Sequence, residues 1–268
     1  MDNRAVGIFD SGLGGLTALN ALRELLPGEN IIYFGDTGRL PYGAKTRAQL
    51  RRMAVQDLDL IASYGVKAIL VACGTLSSNA PEILDAYPVP AFGVLRAGVA
   101  GMTKIPGTGP LGVIATEASI RSGAFARALE AACPGREILP VACPDFVPLI
   151  ESGHGNDDPL VQDAVARYCA PLRGADAVLL GCTHYGIIGE AIADYLGDKT
   201  ALVSAATCGA AVVAQHLIVN GLLGGSGEER FLASGDPAAF THAASTFLGR
   251  TMAREAEGLP VMEIEPPC

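Results

Sequence analysis

The stretch VKAILVACGTLSS, residues 66–78, is a short apolar run that ends in a cysteine and then breaks into small polar residues. A run of this length and composition reads as a buried strand of a parallel sheet, and the residues after it as a turn and a helix start. Cys73 is therefore expected at the carboxyl end of a strand. The stretch ADAVLLGCTHYG, residues 175–186, has the same form and puts Cys182 in the same place, 109 positions later. In open α/β sheets ligands bind at the carboxyl ends of strands. A helix beginning there presents the positive end of its dipole, which lowers a thiol pKa and makes cysteine a usable base.

Similar apolar runs at 5–9, 31–35, 111–115 and 201–204 alternate with helical periodicity at 16–26, 47–64, 120–132 and 159–172. That alternation predicts an α/β fold with mainly parallel sheets. The segment KIPGTGP, residues 104–110, is the best candidate boundary, because Pro and Gly punctuate elements. The order of elements repeats after it, and each part carries one strand leading into Cys-x-Thr or Cys-Thr. Two similar lobes facing a shared cleft are expected.

Either cysteine alone reads better as a small buried hydrophobe. Two in matched contexts on separate lobes read differently, since inverting a stereocentre through a planar carbanion needs a base on one face and an acid on the other. The segment VGIFDSGLGGLT, residues 6–17, adds Asp10 and Ser11 at a strand end, then a glycine turn whose backbone donors could hold a carboxylate. Thr17 stands where a dinucleotide fingerprint needs its third glycine, so that reading fails. Asp10 alone reads as a helix-capping carboxylate. His184 sits two residues from Cys182, where it can tune the thiol or hold structure. His154, His216 and His242 receive no role.

Composition narrows the rest. Of 268 residues 50% are hydrophobic and 18% charged, which argues against disorder, and a chain of this length can build two lobes. The net charge of −9 would repel a phosphate backbone, so no nucleic-acid partner is expected. Residues 200–227 carry no formal charge but include Ser204, Gln215, His216 and Asn220, which reads as a buried helix and not a membrane span. The acidic N-terminus does not look like a signal peptide, so a cytoplasmic location is expected. Seven cysteines form no CxxC and no Cys/His cluster, so free thiols and no metal site are expected.

Taken together, FDSGLGGLT, GDTGRLPYG, VACGT, GVIAT, CPDFVPLIESG, LLGCTHY and SGDPAAF resemble, in order and spacing and over nearly the whole chain, the glutamate racemases of the aspartate/glutamate racemase family. The resemblance implies two pseudosymmetric α/β lobes, residues 1–96 with 207–268 and residues 97–206, with the active site between them. It implies that Cys73 and Cys182 exchange roles as base and acid, that Asp10 assists Cys73, and that His184, backed by Glu151, assists Cys182. Asp10, Ser11, Pro41, Tyr42, Gly43, Gly74, Thr75, Thr116, Thr183 and His184 would bind substrate. No pyridoxal phosphate or metal would be required. The substrate would be glutamate, the product D-glutamate for peptidoglycan synthesis and so for cell-wall biogenesis and cell shape, and the assembly a homodimer.

Three positions depart from the family's pattern. Gly74 replaces an Asn, Gly186 replaces a Pro, and Ser204-Ala205 replaces Asp-Ser. Gly74 keeps open a related racemase or isomerase acting on aspartate, a hydantoin or another small carboxylate, and a non-catalytic binding homologue is the reading from another class. Restoring Asn at 74 is expected, from sequence, to improve glutamate binding through a regained hydrogen bond.

Overall fold

The computed structural model describes residues 1–264, so the last four residues of the expected first lobe, 265–268, lie outside it. Its strands are β1 (Val6–Asp10), β2 (Ile31–Gly35), β3 (Ala68–Val71), β4 (Ala91–Gly93), β5 (Leu111–Ala115), β6 (Ile138–Ala142), β7 (Ala177–Leu180), β8 (Ala201–Ser204), β9 (Glu229–Ala233) and β10 (Glu257–Gly258). They form a six-stranded sheet ordered β10-β9-β2-β1-β3-β4 and a four-stranded sheet ordered β6-β5-β7-β8. Every pairing is parallel, as the alternating pattern predicts.

The second sheet repeats the heart of the first. The order β2-β1-β3-β4 recurs as β6-β5-β7-β8, and the pairing of Val6 with Ala68 recurs as Leu111 with Ala177. In each sheet the strand order reverses between the first and third strands, at β1/β3 and at β5/β7. Connections there leave on opposite sides, which opens a crevice at the strand ends. Cys73 follows β3 and Cys182 follows β7, so each cysteine stands at its sheet's switch point.

Strands β1, β2, β3, β5 and β7 are buried throughout, because helices cover both faces; hence their unbroken apolar sequences. Strands β4, β6, β9 and β10 lacked such a signal. β4 has three half-buried residues and β10 only two exposed ones, while β9 opens on Glu229 and Arg230. β6 carries Pro140, which an edge strand tolerates because the missing N–H faces no partner. The helix expected at 120–132 is two helices, Glu117–Ser122 and Ala124–Ala132, because Gly123 turns left-handed at φ 66° between them. The helix expected at 159–172 ends at Cys169 and tightens into a single 3-10 turn around Pro171.

One hydrophobic cluster runs through both sheets, taking Val6 and Ile8 of β1, Leu70 of β3, Val113 of β5 and Leu179 of β7. Helices Val94–Met102 and Ala205–Val219 pack on each other within it. Their approach needs small residues: a Cβ on Gly98 would lie 2.9 Å from Leu179 and 3.1 Å from Ala205. The uncharged 200–227 stretch thus supplies β8 and a 15-residue core helix. Among the described residues no helix is long and apolar enough to cross a membrane.

The root of β3 is fixed by Lys67, whose ammonium is fully buried, pairs with Glu29 at 2.5 Å and donates to the carbonyls of Asp2, Leu222 and Gly224. Lys67→Met should strand the Glu29 charge and cost about 3–5 kcal/mol. Thermal unfolding should then fall by on the order of 10 °C. An unchanged melting temperature would mean that the pair is neutral to stability.

Candidate active site

A cavity of about 150 Å³ opens where the two switch points face each other, below the roughly 300–1,000 Å³ of sites for drug-sized ligands. Asp10, Ser11, Pro41, Tyr42, Gly43, Cys73, Gly74, Thr75, Thr116, Cys182, Thr183 and His184 all line it. Every residue that the sequence nominated is therefore brought together there except Glu151, which stands one step behind His184. No Lys or Arg is among the lining residues. Leu40, Ala44, Glu117, Cys143, Pro144, Val147 and Pro148 also line the cavity and were not singled out.

The glycine turn after β1 holds a carboxylate, but the carboxylate is Asp10's own. The N–H groups of Gly12 and Gly15 donate to Asp10 Oδ2 at 3.2 and 2.9 Å, and Thr183 Oγ1 donates to Oδ1 at 3.3 Å across the cleft. None of these glycines has positive φ. Gly14 is required for another reason: a Cβ there would sit 2.3 Å from His184 Nδ1 and 2.6 Å from Thr183 Oγ1. Bare backbone of one sheet thus meets functional side chains of the other.

His184 lies between two partners, with Nδ1 3.8 Å from Cys182 Sγ and Nε2 2.6 Å from Glu151 Oε1. Burial by itself would depress its pKa, but the contacts with Cys182 and Glu151, and the charge of Asp10, outweigh it and hold the imidazole well above its ordinary 6.5. Glu151 responds in the opposite sense. Burial opposes its charge, yet the bond to His184 carries its carboxyl below the ordinary value. The stability that this pair contributes is therefore lost as pH falls through the Glu151 value, and lost again as pH rises through the raised His184 value.

Cys73 runs against the sequence expectation. Burial pushes its thiol well up and Asp10 adds to the rise, while the N–H groups of Leu76 and Thr75 pull back only in part. The short helix Gly74–Asn79 that follows is too small an opposing influence, so Cys73 rests as a thiol. Cys143, a third cysteine in the cavity wall, is likewise pushed up by burial.

Behind the Pro41-Tyr42-Gly43 wall lies an ionic cluster that sequence reading passed over. Arg39 is buried against Asp36 at 2.5 Å and against Asp57, and the Tyr42 hydroxyl contacts both carboxyls. Burial first, and then the charge of Asp36, push Asp57 up to about 8. The signal available in sequence was Arg39 inside GDTGRLPYG; Asp57 sits in the middle of a helix with nothing local to mark it.

Three comparisons bear on this site. Residues 17–213 match the family model described as Asp/Glu/Hydantoin racemase. The chain is 40% identical over 267 residues to a glutamate racemase of Beutenbergia cavernae, covering 93% of this chain and 91% of that one. Among solved structures it is similar to a glutamate racemase of Francisella tularensis in complex with D-glutamate, with TM-score 0.88 and 35% identity, covering 97% and 99% of the two chains. A glutamate racemase isoform of Bacillus anthracis gives TM-score 0.90 at 29% identity, covering 98% and 100%.

The structure reverses what sequence suggests for Gly74. A Cβ there would lie 1.9 Å from the Gly181 carbonyl oxygen, a backbone atom that cannot swing aside. Gly74→Asn and Gly74→Ala should both force the two strand ends apart. Overpacking of this kind costs about 1–3 kcal/mol, and melting should fall by roughly 2–12 °C for either substitution. Both substitutions should also weaken ligand binding in calorimetry. An Asn variant that melts unchanged and binds glutamate more tightly would reinstate the sequence-based view.

Proposed function

The chain is an amino-acid racemase that belongs to the Asp/Glu/Hydantoin racemase family, and we propose that it interconverts L- and D-glutamate with two cysteines and no cofactor. The observation that carries this reading is that Cys73 and Cys182, at the ends of equivalent strands in two sheets, line one small cavity. A proton leaves one face of the α-carbon to a thiolate, the carbon flattens, and the opposite thiol returns a proton to the other face. The thiols have then exchanged states, so the reverse passage restores the first arrangement.

The two sides are prepared differently. Cys73, buried beside Asp10, is ready as the acid. Cys182 faces an imidazolium that can stabilise its thiolate, and Glu151 holds that imidazolium in place. Asp10 and His184 manage protons for their own cysteine. Burial strengthens each of these interactions and keeps water from competing for the proton.

Ser11, Pro41, Tyr42, Gly43, Thr75, Thr116 and Thr183 would bind the substrate's carboxylates and ammonium group. With no Lys or Arg in the wall, the carboxylates are left to N–H and O–H donors, and the ammonium group to oxygen acceptors. We assign residues 1–96 and 207–268 to one lobe and 97–206 to the other, with D-glutamate for peptidoglycan as the product and a cytoplasmic homodimer as the working form. A second reading takes aspartate or another small carboxylate as substrate. It is favoured by Gly74, which offers no side-chain amide.

Each of Cys73→Ser and Cys182→Ser should cut racemisation by at least about a hundredfold with unchanged far-ultraviolet circular dichroism. In deuterated water, early product from L-glutamate should carry deuterium while remaining L-glutamate does not. Early label in both enantiomers would instead indicate one exchangeable base. Turnover of aspartate in preference to glutamate would promote the second reading.

His184 must keep its proton for this arrangement, so turnover should fall on the alkaline side as the imidazolium is lost. Glu151→Gln removes one of the groups holding that value up. Its alkaline limb should move to lower pH in a profile of kcat against pH. A limb that stays put, or moves upward, would detach Glu151 from the His184 proton.

A further inference from the structure

Five buried polar side chains form one continuous chain of hydrogen bonds that crosses from one sheet's helix to the other's. Asn79 Nδ2 donates to Ser78 Oγ at 3.2 Å, and Ser78 Oγ contacts Ser119 Oγ at 3.1 Å. Ser119 Oγ meets Thr116 Oγ1 at 3.0 Å, and Thr116 Oγ1 meets Thr75 Oγ1 at 3.0 Å. Only the last two, Thr116 and Thr75, line the cavity.

One consistent direction for the protons can be built from one end. The Asn79 amide nitrogen also faces the carbonyls of Thr75 at 2.9 Å and Ala118 at 3.5 Å, which only accept, so the NH2 group must point this way. Its two protons have three acceptors, and the two nearest are the Thr75 carbonyl at 2.9 Å and Ser78 Oγ at 3.2 Å, so Ser78 accepts one and has its own proton to give. The Ser78 proton has two acceptors at 3.1 Å, the Thr75 carbonyl and Ser119 Oγ; the carbonyl already accepts from Asn79, and giving the proton to Ser119 keeps the hydroxyls joined in one chain. Ser119 passes its own to Thr116. The Thr116 oxygen also takes the Ser119 backbone N–H at 3.4 Å, which fills its lone pairs and sends its proton to Thr75. Thr75 is left with a free O–H.

We propose that Asn79, Ser78 and Ser119 are positioning residues that fix the Thr75 hydroxyl as a donor for a substrate carboxylate. In a wall without Lys or Arg, a hydroxyl that could turn and present a lone pair would repel that carboxylate; the chain of bonds prevents the turn. Successive hydroxyls also polarise one another, which strengthens the final donor. Because the link from Thr116 to Thr75 joins the two sheets, the donor exists only while the sheets are together. The proposal rests on the reading of a carboxylate substrate.

Turnover of glutamate and calorimetric binding of glutarate, a dicarboxylate that cannot be racemised, separate the two. Ser78→Ala should raise KM for L- and D-glutamate alike by about tenfold and weaken glutarate by a similar factor. Its kcat should change by less than roughly twofold, since the carboxylate contact is the same in ground and transition states. Ser119→Ala should behave likewise, and Ser78→Thr, which keeps the hydroxyl, should bind as the parent does. In a Thr75→Val background, Ser78→Ala should add nothing, which a general loosening of the fold would not reproduce.

If glutamate turns over but KM and glutarate affinity ignore Ser78→Ala and Ser119→Ala, the relay is overturned and the function stands. If no glutamate turns over but glutarate binding falls as described, the function is overturned and the relay stands. A protein that neither turns over glutamate nor binds glutarate would overturn both.

Discussion

Two sheets approach each other at their switch points through backbone that carries no side chains, and the rest of the site depends on that approach. Across the cleft Gly14 lies against His184 and Thr183 and Gly74 against the Gly181 carbonyl, while Gly15 lies against Asp10 and Tyr33 within the first sheet, with no room for a Cβ at any of them. Since none of the three adopts positive φ, their requirement is space and not conformational freedom. A methyl group at Gly14 or Gly74 would push the strand ends apart, and with them the two cysteines. The shared hydrophobic cluster beneath keeps the sheets at this separation.

Within that constraint, burial divides the proton chemistry between the sides. The same exclusion of water that drives the Cys73 thiol up would also have discharged His184, were it not for Cys182, Glu151 and Asp10 around it. One thiol is thus held protonated by its surroundings, and the other faces a cation. The asymmetry arises in a topologically symmetric frame, because β1 ends in the Asp10 carboxylate where β5 ends in Ala115, and β7 but not β3 is closely followed by a histidine.

The cavity wall obeys the same economy. Its one candidate cation faces a cysteine, so the anionic groups of the proposed substrate would be left to neutral donors, whose proton directions then decide whether they attract or repel. Tyr42 is tied to Asp36 and Asp57, and Thr75 and Thr116 are tied to the serines behind them. Polar networks of this depth fix geometry because each unsatisfied member would be costly in the interior.

Sequence alone determined the parallel α/β class, the two strand-Cys motifs and most of the cavity wall. Strands buried on both faces write themselves as unbroken apolar runs, and the residues that close them are read directly. It did not determine β4, β6, β9 and β10, whose exposed or half-exposed residues carry no such run, or the left-handed break at Gly123. Three matters belonged to the tertiary structure, because each depends on atoms far apart in the chain. Gly74 is shaped by Gly181, and Cys73 is held protonated by burial against the pull of its own helix. The Thr75 hydroxyl meets Thr116, and through it Ser119, across the cleft on the opposite sheet, and the direction proposed for it depends on them.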